Sequence, residues 1–596
     1  MSAAERPRGP KRTALHRDLI EAALRAHDRL ALRSEKHRDY ASLYVDAEQL
    51  HLLHNPDWQV VYGRRGTGKT FLLGMLAEQS NTDIRTRAVS LLLTAQDFVV
   101  SPTGRAVSDR DRALGYFQAF LEQLAEHLTE HVETLVSKPR FLDSITINRK
   151  RLEDQVDDLL LDLLNLAQDG RPIMAFSDVQ YEETQRDSRN AGRGSGVSVD
   201  GVATPHGGLV ASRARIARNR QRQETTDASV TVSGAPVPRY ALVRKRLVEL
   251  LELLEIERFN ILIDEWSVLD PTAGTSIQPE FADLLKRTFA GSNRISIKIA
   301  TNRYQTRFSN RSAAGRYRGL EIDADIFEAT NLDRALLTQE NLDRFYEILL
   351  FKRLRHVAPA IERFDPDGIG EPDPEFIRSI FRDRRAFAEL VKGAEGIPRD
   401  FVIIFKSLAS HVGYSVGQLW TVRDVQQRIR EKSVDGQGEM EYQSEAGQLL
   451  APCIKDVVTT TGSRTFIVRR EDVSSLRISL DELLEKRLIH EVPRPEVVPE
   501  IRDNYQMYLV DYGLWLDWRN VVGQREDELE EVDEPFDLSR VADYVVDPRG
   551  IEMHDMVRCP HCAATFSIQS RAYQMRELCP ECLLEVRLLQ SVKDSE

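Results

Sequence analysis

Residues 63–70 read Gly63-Arg64-Arg65-Gly66-Thr67-Gly68-Lys69-Thr70 and match the phosphate-binding pattern G-x-x-x-x-G-K-[ST] in full. The apolar run 60–62 predicts a short buried strand before this loop, and the apolar residues within 71–76 predict a helix after it. Glycines let successive backbone N–H groups point at one anion near the positive end of that helix. The alternative is a glycine-rich turn that matches by chance, and the flanking strand and helix argue against it.

The side chains of this phosphate-binding loop (residues 63–70) also predict its ligand. Lys69 would reach the β- and γ-phosphates of a nucleotide, and the Thr70 hydroxyl would hold Mg²⁺. ATP and Mg²⁺ are therefore the expected ligands, and all eight loop residues are candidate binding residues.

The composition indicates a large globular protein without a membrane span. The chain has 596 residues and is therefore too long for a single core, and 41% of its residues are apolar, as in globular proteins. No stretch approaches the roughly 20 apolar residues that a span requires, and residues 1–12 lack the apolar core of a signal peptide. We therefore expect a cytoplasmic protein with no membrane partner. The net charge of −13 argues against wholesale wrapping of nucleic acid.

Apolar strands alternate with amphipathic helices, which predicts an α/β fold with a parallel sheet flanked by helices. The expected strands after the loop are 88–94, 259–264 and 295–300, and the expected helices are 112–137, 147–168, 240–256 and 278–290.

Polar side chains end two of these strands. Asp264 and Glu265 end the strand 259–264, where a phosphate-loop ATPase places an acidic residue on Mg²⁺ and a glutamate that polarises the attacking water. Thr301 and Asn302 end the next strand, where a polar group would hydrogen-bond the γ-phosphate or the water; capping the strand is the alternative. Arg399 opens a later helix and would approach the bound phosphates.

From about residue 38 to about 520, the chain resembles an AAA+ ATPase of the origin-recognition/replication-initiator branch. The resemblance takes residues 63–70 as Walker A, Asp264 and Glu265 as Walker B, Thr301 and Asn302 as sensor 1, and Arg399 as sensor 2. It implies a nucleotide domain, then a helical lid, then a winged-helix-like domain. No single arginine stands out as a finger acting in trans on another copy; the candidates are Arg311, Arg316 and Arg318, each of which would otherwise be a surface residue.

The expected organisation has six parts. These are an N-terminal helical extension (1–37), the nucleotide domain (38–331), a helical lid (332–412), a winged-helix-like domain (413–520), an acidic linker (521–548) and a zinc ribbon (549–596). The nucleotide domain carries an unusually long insertion at about 176–238, which contains glycine repeats and five clustered arginines. We expect much of this insertion to be mobile. It would be either a solvated insertion or a basic arm that contacts nucleic acid or an acidic partner.

The zinc ribbon rests on Cys559-Pro-His-Cys562 and Cys579-Pro-Glu-Cys582, two CxxC pairs separated by sixteen residues. Paired thiolates at this spacing are typical of a structural Cys₄ Zn²⁺ site, with redox-active CxxC pairs as the alternative. Four cysteine ligands leave no open position on the metal, so the zinc would stabilise the fold only.

Two outputs remain open for ATP hydrolysis. One is a DNA-associated motor or loader, which is supported by the resemblance, the arginine cluster and the zinc ribbon. The other is a slow nucleotide-state switch that assembles with a protein partner or with further copies of itself, for example in signalling or anti-phage defence. In the winged-helix-like part we expect a helix over 474–487 and strands over 488–490 and 505–512. That helix mixes acidic and basic residues, which suits a phosphate backbone poorly and favours the switch.

Overall fold

The computed structural model describes residues 40–82, 87–99, 108–137, 149–168, 174–176, 236–238, 240–270, 276–311, 317–333, 342–412, 419–438, 464–469, 476–491, 505–521, 545–546, 556–558 and 565–567, with positions 446, 447, 449, 473, 561 and 578. The predicted N-terminal extension (1–37) lies outside these residues, as do nearly all of the acidic linker (521–548) and nearly all of the insertion. No described helix is long and apolar enough to cross a membrane.

The strands and α-helices of the described residues are numbered in chain order. The strands are β1 (Gln59–Tyr62), β2 (Ala88–Thr94), β3 (Met174–Phe176), β4 (Pro236–Pro238), β5 (Arg258–Asp264), β6 (Ile295–Thr301), β7 (Ser309–Arg311), β8 (Tyr317–Gly319), β9 (Phe327–Asn331), β10 (Thr465–Arg469), β11 (Ile489–Glu491), β12 (Tyr505–Val510), β13 (Val545–Val546), β14 (Met556–Arg558) and β15 (Thr565–Ser567). The helices are α1 (Tyr40–Leu43), α2 (Lys69–Thr82), α3 (Asp109–Ser137), α4 (Arg149–Gln168), α5 (Tyr240–Leu253), α6 (Ile277–Phe289), α7 (Leu342–Val357), α8 (Glu375–Arg378), α9 (Arg384–Ala394), α10 (Pro398–Val412), α11 (Val422–Gly438), α12 (Arg477–Glu485) and α13 (Tyr512–Val521).

The chain divides into two compact units. The sheet unit comprises Glu48–Gly63 and Lys69–Asn331, and the C-terminal unit comprises Met1–Ala47, Arg64–Gly68 and Leu332–Glu596. The phosphate-binding loop therefore contributes Arg64–Gly68 to the C-terminal unit and its remaining residues to the sheet unit. The predicted domain boundaries remain predictions.

The sheet unit is built on a five-stranded sheet in the order β2-β5-β6-β1-β9, with every neighbouring pair parallel. β5 and β6 are buried along nearly their whole length, including the polar residues Asn260, Ser296 and Lys298, as strands covered on both faces must be. Helices α2 and α3 pack on the sheet, and α3 also contacts α4 and α6. The predicted α/β fold with a parallel sheet flanked by helices is confirmed.

The ends of the long insertion lie side by side. β3 and β4 pair antiparallel, so that Phe176 lies opposite Pro236. This pairing brings the two ends of the insertion together, which allows β5 to follow so late in the sequence. The insertion itself, with its expected mobility, lies outside the described residues.

The C-terminal unit combines helices with a second sheet. Helix α9 contacts α10 and α11, and α11 contacts α13. The sheet has the order β11-β12-β10-β13, in which β11 and β12 correspond to the two strands predicted from the sequence, whereas β10 and β13 were not predicted. The strand expected over 505–512 ends at Val510, because Asp511 accepts hydrogen bonds from the backbone of Gly513 and Leu514 and thereby caps helix α13.

Candidate functional site

The carboxyl ends of the parallel strands meet at one edge of the sheet unit. Thr94 of β2 lies opposite Asp264 of β5, and Tyr62 of β1 lies opposite Thr301 of β6. Strand β6 lies between the strand that leads into the loop and the strand that carries Asp264. Because ligands of open α/β sheets bind outside the carboxyl ends of the strands, this edge is the candidate site.

Thr70 and Asp264 are in direct contact. The Thr70 hydroxyl donates to Asp264 Oδ2 over 2.5 Å, although the two residues are 194 positions apart. Asp264 is only 4% exposed, so the carboxylate is held in place at the end of β5. A hydroxyl and a carboxylate are the hard oxygen ligands that Mg²⁺ prefers, and this pair therefore fits the metal that the sequence predicts.

Lys69 folds back onto the start of its own loop. Its Nζ donates to the carbonyl of Gly63 over 2.6 Å, while the backbone N–H of Gly63 donates to the carbonyl of Thr301 over 3.1 Å. The first contact keeps the ammonium beside the loop, and the second fixes the start of the loop to the end of β6.

Glu265 adopts a backbone conformation that is unusual for its residue type. Its φ of 57° and ψ of 37° lie in the left-handed region, and its N–H donates to Asp264 Oδ1 over 2.9 Å. The next residue, Trp266, is fully buried against Phe281 and Phe308, with ring centroids 5.5 Å and 5.4 Å away. The buried indole anchors this turn, so Glu265 is held at the strand end despite the strain.

Thr301 and Asn302 lie at the end of β6, as predicted, and both are engaged locally. The Asn302 side chain accepts from the N–H of Tyr304 over 3.2 Å and caps a single 3₁₀ turn. The Thr301 hydroxyl lies 2.5 Å from that of Thr306. Asn302 thus caps the 3₁₀ turn that follows the strand, and the role predicted for this pair at the γ-phosphate stays a prediction.

Within the C-terminal unit, Arg64–Gly68 lie against the start of α10. Gly66 and Gly68 have φ values of 100° and 101°, which explains why glycine occupies both positions. The backbone N–H of Arg399 donates to the carbonyl of Gly66 over 3.2 Å. The structure therefore brings the predicted sensor residue Arg399 to the loop, at least through its backbone.

Sequence reasoning missed the partners of Arg64 and Arg65. Arg64 is 3% exposed and contacts Asp333 and His490, and the carbonyl of Arg65 accepts from Arg487. His490 is 426 positions from Arg64, so no local spacing could reveal the contact.

Other predicted site residues are placed only in part. Arg318 is paired with Glu280, Arg311 lies in β7, and Arg316 lies outside the described residues. The four cysteines predicted to bind zinc also lie outside them, although β14 and β15 beside the first pair form an antiparallel ladder.

Comparisons with known proteins give weak likenesses. No protein-family model and no curated protein matches the chain. Among solved structures, the Aeropyrum pernix ORC2 protein in ADPNP-ADP complexes is 10% identical, with a TM-score of 0.32 over 88% of this chain and 96% of that one. Drosophila ORC bound to DNA is 11% identical, with a TM-score of 0.25 over 87% and 94%. The Aeropyrum pernix ORC1 protein in complex with DNA is 13% identical, with a TM-score of 0.26 over 84% and 95%. TM-scores this low do not establish a common function.

Proposed function

We propose that the chain is an AAA+-type ATPase that binds ATP with Mg²⁺, hydrolyses it and couples the nucleotide state to engagement of DNA or a protein partner. The contact between Thr70 and Asp264 carries the proposal, because it joins the last residue of a full phosphate-binding pattern to the acidic end of a parallel strand. A glycine-rich turn that matched the loop pattern by chance would not be expected to contact the acidic end of a parallel strand.

The residues of the site divide the work of phosphoryl transfer to water. Backbone N–H groups of the loop and the Lys69 ammonium would bind the phosphates, and Thr70 with Asp264 would hold Mg²⁺. When bound, the ion neutralises charge on the phosphate oxygens. Glu265 would orient a water for in-line attack on the γ-phosphate, Arg399 would supply a further positive charge, and Thr301 with Asn302 would contact the phosphate or the water.

Substitution of two residues tests the assignment. Lys69→Ala is expected to abolish nucleotide binding or hydrolysis, whereas Glu265→Gln should bind ATP and fail to turn it over. The matched control is Glu257→Gln, since Glu257 lies just before the opposite end of β5 and is paired with the exposed Arg87. Phosphate release at saturating ATP and nucleotide titration measure the two effects. Hydrolysis by Glu265→Gln at the wild-type rate would show that another group orients the water.

A slow switch that engages a protein partner is the second candidate, and one observation favours it. Two basic residues of the expected DNA-reading helix are paired with acids of the same segment: Arg477 with Asp481 at 3.5 Å and Lys486 with Glu482 at 3.3 Å. Charges neutralised in this way offer little to DNA phosphates. ATP turnover measured with and without duplex and single-stranded DNA separates the two outputs, because stimulation by DNA is expected only of the motor or loader.

A further inference from the structure

Three consecutive carbonyl groups of the phosphate-binding loop accept hydrogen bonds from protein groups. The carbonyl of Arg64 accepts from the Thr67 hydroxyl over 2.9 Å, that of Arg65 from Arg487 Nη2 over 2.6 Å, and that of Gly66 from the Arg399 N–H over 3.2 Å. In a trans peptide the C=O and the following N–H point in opposite directions. The bonds to the carbonyls of Arg64 and Arg65 therefore turn the N–H groups of Arg65 and Gly66 away from these donors, whereas the N–H of Thr67 donates to the carbonyl of Arg64 over 3.4 Å. N–H groups oriented in this way are what a loop of this kind offers to phosphate.

Arg487 is itself held in a fixed position. It has a left-handed φ of 62°, and its Nη1 is hydrogen-bonded to Asp400, which also accepts from Lys432 over 3.0 Å. Burial alone would raise the pKa of Asp400, but Lys432 and Arg487 together hold that pKa below its ordinary value. The carboxylate thus stays charged, and the guanidinium remains directed at Arg65.

The Arg64 side chain provides a second hold on the loop. Its Nε donates to Asp333 over 3.1 Å, and its Nη1 lies 2.9 Å from His490 Nδ1. A guanidinium can only donate, so Nδ1 must accept, and the neutral ring carries its proton on Nε2. That nitrogen faces Asp511 Oδ2 at 3.6 Å.

Asp511 is well placed to keep the ring in this tautomer. Burial would raise its pKa, but the neighbouring His490 N–H, the Lys432 ammonium and the Ser433 hydroxyl together lower it. An ionised carboxylate beside Nε2 favours the proton at that nitrogen, which leaves Nδ1 as the acceptor for Arg64. His490 is 1% exposed, so water does not compete for either nitrogen.

We propose that Arg487 and His490 are positioning residues for the phosphate-binding loop, fixing its backbone with the N–H groups of Arg65 and Gly66 directed at nucleotide phosphates. The proposal rests on the proposed nucleotide binding and adds to it that affinity is set by residues more than 400 positions away in the chain. Both residues act on the loop through their contacts with Arg64 and Arg65. Removing either side chain should weaken ATP binding and leave the chemical step of the bound complex unchanged.

The experiment compares four variants of the full chain. Arg487→Met keeps the side-chain stem and removes the donors, and His490→Leu removes the acceptor. His490→Asn places an amide oxygen close to where Nδ1 lies and should restore function. Arg477→Met is the matched control, because Arg477 is exposed on the same segment and pairs with Asp481.

We expect Arg487→Met and His490→Leu each to raise the KM for ATP and the Kd of a fluorescent ATP analogue about tenfold, the effect of removing one charge-assisted hydrogen bond. Their kcat at saturating ATP should equal that of the wild type, and His490→Asn and Arg477→Met should stay within about twofold of it. Should His490→Leu fail to fold, Arg487→Met tests the proposal alone, since its side chain is partly exposed.

Wild-type KM in both Arg487→Met and His490→Leu would overturn the positioning role while leaving the ATPase assignment intact. A lower kcat with unchanged KM would overturn it too, because that result indicates a smaller amount of folded enzyme. Absence of nucleotide binding by the wild type would instead refute the proposed function, and the positioning role with it.

Discussion

Gly66→Ala should destabilise the nucleotide-free protein more than Gly68→Ala, although both glycines have nearly the same backbone conformation. The φ values are 100° and 101°, so each alanine would incur about 1–3 kcal/mol of backbone strain. A Cβ at Gly66 would lie 2.7 Å from Arg399 Cβ and 3.2 Å from Ile397 Cγ2, whereas a Cβ at Gly68 meets no atom within 4 Å.

The difference between the two variants isolates the steric contact. Arg399 Cβ is attached directly to the backbone at the start of α10, so no rotamer change can relieve the overlap. Overpacking of this kind costs about 1–3 kcal/mol, which Gly66→Ala should show in excess of Gly68→Ala. Urea unfolding followed by circular dichroism without nucleotide measures the destabilisation of each variant. Equal destabilisation would refute the close approach of α10 to the loop.

Three further outcomes are expected. Burial lowers the pKa of Lys298 from 10.5 to about 7, so the unfolded chain binds this proton more tightly than the folded protein does. The free energy of unfolding should therefore rise between about pH 7 and pH 10.5 relative to that of Lys298→Met. Thermal melts of both proteins at several pH values in this window measure the difference, and parallel curves would contradict it. Purified protein should hold one Zn²⁺ that is absent from the double variant Cys559→Ser with Cys562→Ser, and metal analysis without zinc would remove the ribbon. If the insertion is a nucleic-acid arm, replacing its clustered arginines by alanine should flatten the log–log salt dependence of duplex binding by about 0.9 for each phosphate that those arginines neutralise and leave ATP turnover unchanged; equal slopes in a two-salt titration would exclude the arm. The arginines are Arg213, Arg215, Arg218, Arg220 and Arg222.

The parallel sheet was predictable because its strands are apolar and short, with helices of clear period between them. β2, β5 and β6 lie within one residue of their expected bounds. The edge strand β9 was missed, since Phe327 and Glu328 are exposed and the strand has no apolar run. Helix α13 was missed because Asp511, which caps it, follows strand β12 directly, with no loop between them.

Local patterns were enough to expect Thr70 and Asp264 near each other, and the structure places them in contact. Other contacts between distant segments were not predictable, because a spacing rule cannot pair Arg64 with His490 or Arg65 with Arg487. These side chains gain their meaning only from the three-dimensional arrangement of the C-terminal unit.

Under the role proposed for Glu265, its left-handed turn sets stability against activity at a single position. Glycine there would relieve about 1 kcal/mol of strain, and asparagine would tolerate the turn better than glutamate does, yet neither carries the carboxylate. A laboratory screen that selects for heat resistance alone should therefore favour glycine or asparagine at this position, and the selected variants should lack ATP turnover. Persistence of glutamate through such a screen would require that ATP turnover be selected at the same time.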